Sequence, residues 1–63
     1  MNVVSNAELS SLATALDDLT QRVTALAEGL ANEQEDLATE LFEVERSLNG
    51  ARRRLQKVVE GAA

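Results

Sequence analysis

The chain has 63 residues, a net charge of −5, and no cysteine, histidine, proline, tryptophan or tyrosine. These counts exclude disulfides and metal sites built on thiolate or imidazole ligands, and a core of leucine, valine and alanine suits packed helices better than a sheet. We expect one domain, residues 1–63, that is too small to bury a large core alone and therefore associates with other chains.

An apolar series recurs at alternating spacings of three and four residues along most of the chain. This spacing places its members on one face of an α-helix and is typical of the seam of a coiled coil. We therefore predict an all-α protein whose helices associate through this seam. Its members are Leu9, Leu12, Leu16, Leu19, Val23, Leu26, Leu37, Leu41, Val44, Leu48, Ala51, Leu55 and Val58.

The first predicted helix covers about residues 6–28. Ser5 and Glu8 have the spacing of a capping box at its start, with Val4 and Leu9 at the positions of a hydrophobic staple. Small residues flank this part of the seam and allow further helices to approach closely. They are Ala13, Ala15, Thr20, Ala27 and Gly29.

The seam falters between Leu30 and Leu37, and two interpretations differ there. In a helical hairpin, Gly29 is left-handed and ends the first helix, while Asn32 caps the second helix with Glu35 three residues on. In one continuous helix, part of a parallel coiled-coil oligomer, Gly29 costs about 1 kcal/mol and the seam runs on through a stutter. Gly29→Ala should accordingly destabilise a hairpin and stabilise a continuous helix.

The antiparallel hairpin is favoured because, when the chain folds back, each seam residue of the first helix meets a seam residue of the second, from Leu26 with Leu37 to Leu9 with Leu55. Opposite charges also meet in this alignment, and each exposed pair contributes only tenths of a kcal/mol. These pairs include Asp17 with Arg46, and Arg22 with Glu40 and Glu43, whereas Asp18 beside Glu45 is a like-charge counterexample.

The second predicted helix covers about residues 33–60 and ends at Gly61. Asn49-Gly50 is a weak point inside it, but the seam continues on both sides, so the helix should pass through. A single hairpin buries only part of the seam, so two hairpins should pack together as a four-helix bundle. Antiparallel pairing of two second helices, centred near Leu48, would place Glu40 opposite Arg54 and Glu45 opposite Arg52.

Charge is strongly segregated: every charged residue from Glu28 to Glu45 is negative, and every one from Arg46 to Lys57 is positive. The basic cluster suits a helix C-terminus and an acidic neighbour, and it is also a candidate surface for an anionic partner. Phe42 either packs between hairpins or anchors a partner. The candidate partner-binding residues are Phe42, Arg46, Arg52, Arg53, Arg54 and Lys57.

The second helix carries four carboxylates on one face: Glu33, Asp36, Glu40 and Glu43. A di-iron centre in a helical bundle also needs histidine, so we interpret this stripe as a solvated surface and predict no metal or other cofactor. Serine and threonine hydroxyls lack a histidine base to activate them, so we expect no enzymatic activity.

Around the predicted bend, the sequence resembles Rop, the family of small plasmid copy-number proteins that are dimers of helical hairpins. The resemblance rests on Leu26, Glu28, Ala31, Glu33, Gln34, Asp36 and Leu41. It implies a dimer of hairpins. Members bind paired RNA loops through a basic and aromatic face of the first helix, and this function does not carry over, because the matching positions hold Val3, Ser10, Thr14, Asp18 and Ala25.

These patterns predict a non-enzymatic module that associates with itself, as a homodimer, and with another protein as an adaptor or regulator. One alternative is a structural coiled-coil component of a larger assembly, such as a virion. Another is a regulator that binds nucleic acid through residues 52–57, which the acidic net charge disfavours. No stretch resembles a signal peptide or a membrane span, so a soluble, cytoplasmic chain is expected.

Overall fold

The computed structural model describes residues 6–62, which form two packed α-helices. Helix α1 spans Asn6–Leu30, helix α2 spans Glu35–Ala62, and residues 31–34 connect them. The helices run antiparallel as a hairpin 51 Å long and 16 Å wide, whereas one continuous helix over the same residues would span about 85 Å. The predicted hairpin is confirmed, and the continuous helix is wrong.

Helix α1 begins at Asn6, where the sequence predicts it. The capping box depends on Ser5, and that prediction lies outside the described residues, as does the staple residue Val4. One carboxylate, that of Glu8, lies in the first turn of α1, where the partial positive charge of the helix N-terminus favours it.

Helix α1 ends two residues later than predicted, because it continues through Gly29 to Leu30. No glycine among residues 6–62 has a positive φ, so the predicted left-handed conformation of Gly29 is wrong. The chain turns instead on the carbonyl of Leu30, which accepts hydrogen bonds from the amides of Glu33 at 3.2 Å and Gln34 at 2.8 Å. These bonds satisfy an end carbonyl of the helix without a left-handed residue.

Helix α2 begins at Glu35, and the predicted cap at Asn32 is wrong. The carbonyl of Gln34 accepts the amide of Ala38 at 3.0 Å, which makes Gln34 the N-cap residue. Glutamine is a poor cap, but Glu35 and Asp36 occupy the first turn, and their charges favour the helix N-terminus.

The two glycines of α2 lie inside the helix. Gly50 is spanned without interruption, as predicted, whereas the predicted stop at Gly61 is wrong because α2 continues to Ala62. Glycine lowers helix stability but does not end a helix unless the backbone leaves the helical region.

Replacing Gly29 by alanine should stabilise this hairpin, which reverses the expectation from the sequence. Gly29 is helical, and a Cβ atom there would have no neighbour within 4 Å. Alanine should therefore raise the free energy of unfolding by about 1 kcal/mol. Urea unfolding followed by circular dichroism measures this change, and a lower midpoint for the variant would contradict a helical Gly29.

Candidate functional site

Apart from Leu9, which is 6% exposed, the buried residues that face the opposite helix are small or polar. On α1, Thr20 and Ala27 are 4% and 0% exposed, and on α2, Ala38 is 3% exposed. The Thr20 hydroxyl donates to the carbonyl of Leu16 at 2.7 Å, so its burial leaves no polar group unsatisfied. Thr20 and Ala27, predicted as flanks open to further helices, are therefore covered by the partner helix of the same hairpin.

Two polar contacts between the helices show how they are aligned. Arg52 Nη2 lies 3.1 Å from Asp17 Oδ1, and the Thr24 hydroxyl donates to the carboxylate of Glu45. The predicted partner of Asp17 was Arg46, six residues away from the observed one. The predicted layers of leucine against leucine are therefore wrong in register.

The other predicted charge pairs are also replaced. Arg22 lies 3.9 Å from Asp18, and Arg46 lies 4.0 Å from Glu43, so each arginine pairs within its own helix. Glu45 and Arg52, expected to meet across a dimer, instead bond to α1 of their own chain. The side chains of Arg22 and Arg46 are largely exposed, and such pairs are too weak to determine an alignment.

The seam divides into two series that differ in burial. Within α1, Leu9 is buried and Leu16 and Val23 are half-buried; within α2, Leu41, Leu48 and Leu55 are half-buried. Every member of the other series is exposed. We call this second series the apolar face: Leu12, Leu19, Leu26, Leu37, Val44, Ala51 and Val58.

The apolar face lies on one side of the hairpin. Each of its members directly precedes a residue of the row that faces the other helix: Leu19 precedes Thr20 on α1, and Leu37 precedes Ala38 on α2. One residue is a rotation of about 100° around the helix axis. Because the helices face each other and run in opposite directions, the residue that precedes a contact residue lies on the same side of the hairpin in α1 as in α2.

The opposite side of the hairpin is polar. It carries the contact of Asp17 with Arg52 and a shallow groove beside that contact. The rim of the groove includes the polar residues Thr14, Asn49 and Gln56, while Ala13, Leu16 and Leu55 also line it. We call this side of the hairpin the polar side. Phe42, which is 37% exposed, also lies there, because it precedes Asn49 and Gln56 by seven and fourteen residues and therefore shares their side of the helix.

The structure separates the candidate partner-binding residues. Arg53 lines the groove on the polar side, and Arg52 is held by Asp17. Arg54 is three residues beyond Ala51 and therefore borders the apolar face. These three arginines of the basic cluster thus lie in different surroundings, and whether the cluster binds a partner stays a prediction.

The carboxylate stripe of α2 forms no cluster suited to a metal ion. Across residues 6–62, no group of three or more acidic, histidine or cysteine side chains is arranged to hold one. Neither α1 nor α2, as far as the structure describes them, is long and apolar enough to cross a membrane.

No protein-family model, curated protein or solved structure matches the chain.

The sequence contains a signal for the row that faces the opposite helix, but the prediction assigned it differently. Ala13, Thr20 and Ala27 recur at seven-residue intervals one position after Leu12, Leu19 and Leu26. Small residues at this interval let helix axes approach closely. The sequence does not show whether the approaching helix belongs to the same chain. In the structure, the helix that packs against this row is α2 of the same chain.

Proposed function

We propose that this chain is a self-associating helical module whose apolar face is covered by a second copy, and that the assembled module binds another protein. The apolar face supports this proposal directly. Its six leucine and valine side chains are 44% to 57% exposed, on one side of the hairpin. Fully burying such a side chain contributes about 1.5–3 kcal/mol, so leaving all six in water is unfavourable.

The small core of the hairpin gives a second argument. Among the described residues, the buried apolar side chains are Leu9, Ala27 and Ala38, and no large side chain is fully buried. A core of this size stabilises a short hairpin poorly. Covering the apolar face would bury leucines from both copies and would turn the half-buried Leu16 and Leu48 into core residues.

The proposed protein-binding role is assigned to the polar side, which remains outward when the apolar face is covered. Phe42 and Arg53 are exposed there, and aromatic and arginine side chains are enriched at protein interfaces. Arg46 lies one turn from Phe42 on the same helix. An exposed ring that is followed by Arg46 one turn later and by Arg53 about three turns later fits an acidic partner protein that also carries an apolar side chain.

Sedimentation equilibrium of the purified chain tests the proposed self-association. We expect the mass of two chains at micromolar concentration and dissociation on dilution. A single-chain mass over the whole concentration range, with helical circular dichroism retained, would refute the proposal.

The Phe42→Ala variant separates the two proposed surfaces. Because Phe42 lies on the polar side, its truncation should leave the dimer dissociation constant within about twofold of the original value, since surface changes outside an interface have small effects. Sedimentation measures this constant directly. A large loss of association would show that Phe42 packs between hairpins, which is the other interpretation of its sequence position.

A further inference from the structure

We infer that the two copies pair around a two-fold axis that sets α2 antiparallel to the partner's α2 and places the two connecting segments at opposite ends of the bundle. This inference rests on the proposed self-association and names its geometry. A two-fold axis makes each contact occur twice, because the same surface of both copies takes part. The row of residues along each helix must therefore be complementary to the same row read in the opposite direction.

The exposed residues of α2 meet this requirement. Leu37, Val44, Ala51 and Val58 recur at equal intervals of seven residues. Reversing the helix around a centre between Ser47 and Leu48 brings Leu37 onto the partner's Val58 and Val44 onto the partner's Ala51. Each apolar residue of this row therefore gains an apolar neighbour.

Helix α1 meets the requirement around a centre at the same level. Reversal around Leu19 brings Leu12 onto the partner's Leu26 and Leu19 onto the partner's Leu19. The contacts of Asp17 with Arg52 and of Thr24 with Glu45 place Leu19 level with Gly50. The two centres therefore differ by about 2.5 residues, or about 4 Å along the bundle at about 1.5 Å per residue, so one axis serves both helices.

Charges along the outer edge of α2 favour this arrangement over the alternative. Glu40, Ser47 and Arg54 are exposed and lie in the row next to the apolar face, on the side away from α1. Around the proposed axis, Glu40 faces the partner's Arg54, and the symmetry repeats this pair. Such flanking pairs select the orientation of helices more than they strengthen the contact.

The alternative places both connecting segments at the same end and packs α2 on the partner's α1. The observed alignment of the helices then puts Ser47 beside the partner's Arg22 and Arg54 beside the partner's Ala15. Glu40 would lie beside the partner's Gly29. No pair of opposite charges forms along these outer edges, so the alternative gains nothing from the segregated charge of α2.

Chemical cross-linking distinguishes the two geometries. The chain contains no cysteine, so Ser47→Cys supplies one reactive thiol per copy, close to the proposed axis. A short bismaleimide suits this edge position better than a disulfide, which needs Cα atoms within about 7 Å. We expect the Ser47→Cys chain to cross-link to itself, and an Arg22→Cys chain mixed with it to remain largely outside the cross-linked product.

Three outcomes are separable. Self-cross-linking of Ser47→Cys supports the inference. A heterodimer of Arg22→Cys with Ser47→Cys chains, without the Ser47→Cys homodimer, overturns it and leaves the proposed self-association intact. A single-chain mass in sedimentation, with no cross-linked product from either chain, overturns both.

A charge exchange provides a second measurement that does not depend on cysteine. Glu40→Arg should weaken dimerisation several-fold, because it places like charges together at both symmetric positions. The double variant Glu40→Arg with Arg54→Glu should restore the original dissociation constant. A double variant as weak as the single one would overturn the pairing of Glu40 with the partner's Arg54.

Discussion

Replacing Leu19 by glutamate should convert the proposed dimer into single chains. Leu19 is 46% exposed at the middle of the apolar face, and the proposed axis brings it against the partner's Leu19. Two carboxylates would then be buried against each other in the interface. Because an unpaired buried charge costs several kcal/mol, the dissociation constant should rise by at least about 100-fold. Sedimentation equilibrium of both chains at equal concentrations measures the change.

The matched control is Ala25→Glu. It adds the same charge to the same helix, but Ala25 is exposed and borders the polar side of the hairpin. This variant should keep both its dimer mass and its helical circular dichroism. If folding depends on association, Leu19→Glu will lose helix content together with dimer mass, while the control keeps both. A Leu19→Glu chain with an unchanged dimer mass would rule out the apolar face as the interface.

The sequence predicts the two helices and the hairpin because these depend on spacing along the chain. The interval of three and four residues requires helices, and the interruption between Leu30 and Leu37 allows a bend. The helix ends were less predictable. Gly29 and Asn32 have the residue types of a stop and a cap, yet each also fits a helix or a turn, and the chain turns on the carbonyl of Leu30 instead.

The alignment of the helices could not be predicted from the same spacing. A heptad series shows which residues share a face, but not whether that face meets the other helix of the chain or a second copy. Leucine layers within one hairpin and leucine layers between two hairpins satisfy the pattern equally. The structure uses Thr20 and Ala27 for the contact inside the hairpin and leaves Leu19 and Leu26 exposed. The candidate partner-binding residues were chosen by residue type and clustering alone, so their division between the two sides of the hairpin required the fold.

Replacing Ala27 by leucine should destabilise the hairpin itself. Ala27 is 0% exposed in the row that faces α2, and the larger side chain would force the helices apart or into another alignment. Overpacking of this kind costs about 1–3 kcal/mol. Urea unfolding followed by circular dichroism should show a lower midpoint, provided that both chains are compared at one concentration, since association also contributes to stability.

The control for this change is Ala25→Leu, which is the same substitution two residues earlier, at an exposed position. Its midpoint should shift little, because alanine and leucine have similar helix propensities and Ala25 does not face α2. The comparison also tests the alignment. If leucine layers filled the hairpin, Ala27 would lie at the flank and its leucine variant would be tolerated. A loss confined to Ala27→Leu requires the small-residue contact, and that contact is what leaves the apolar face free for a second copy.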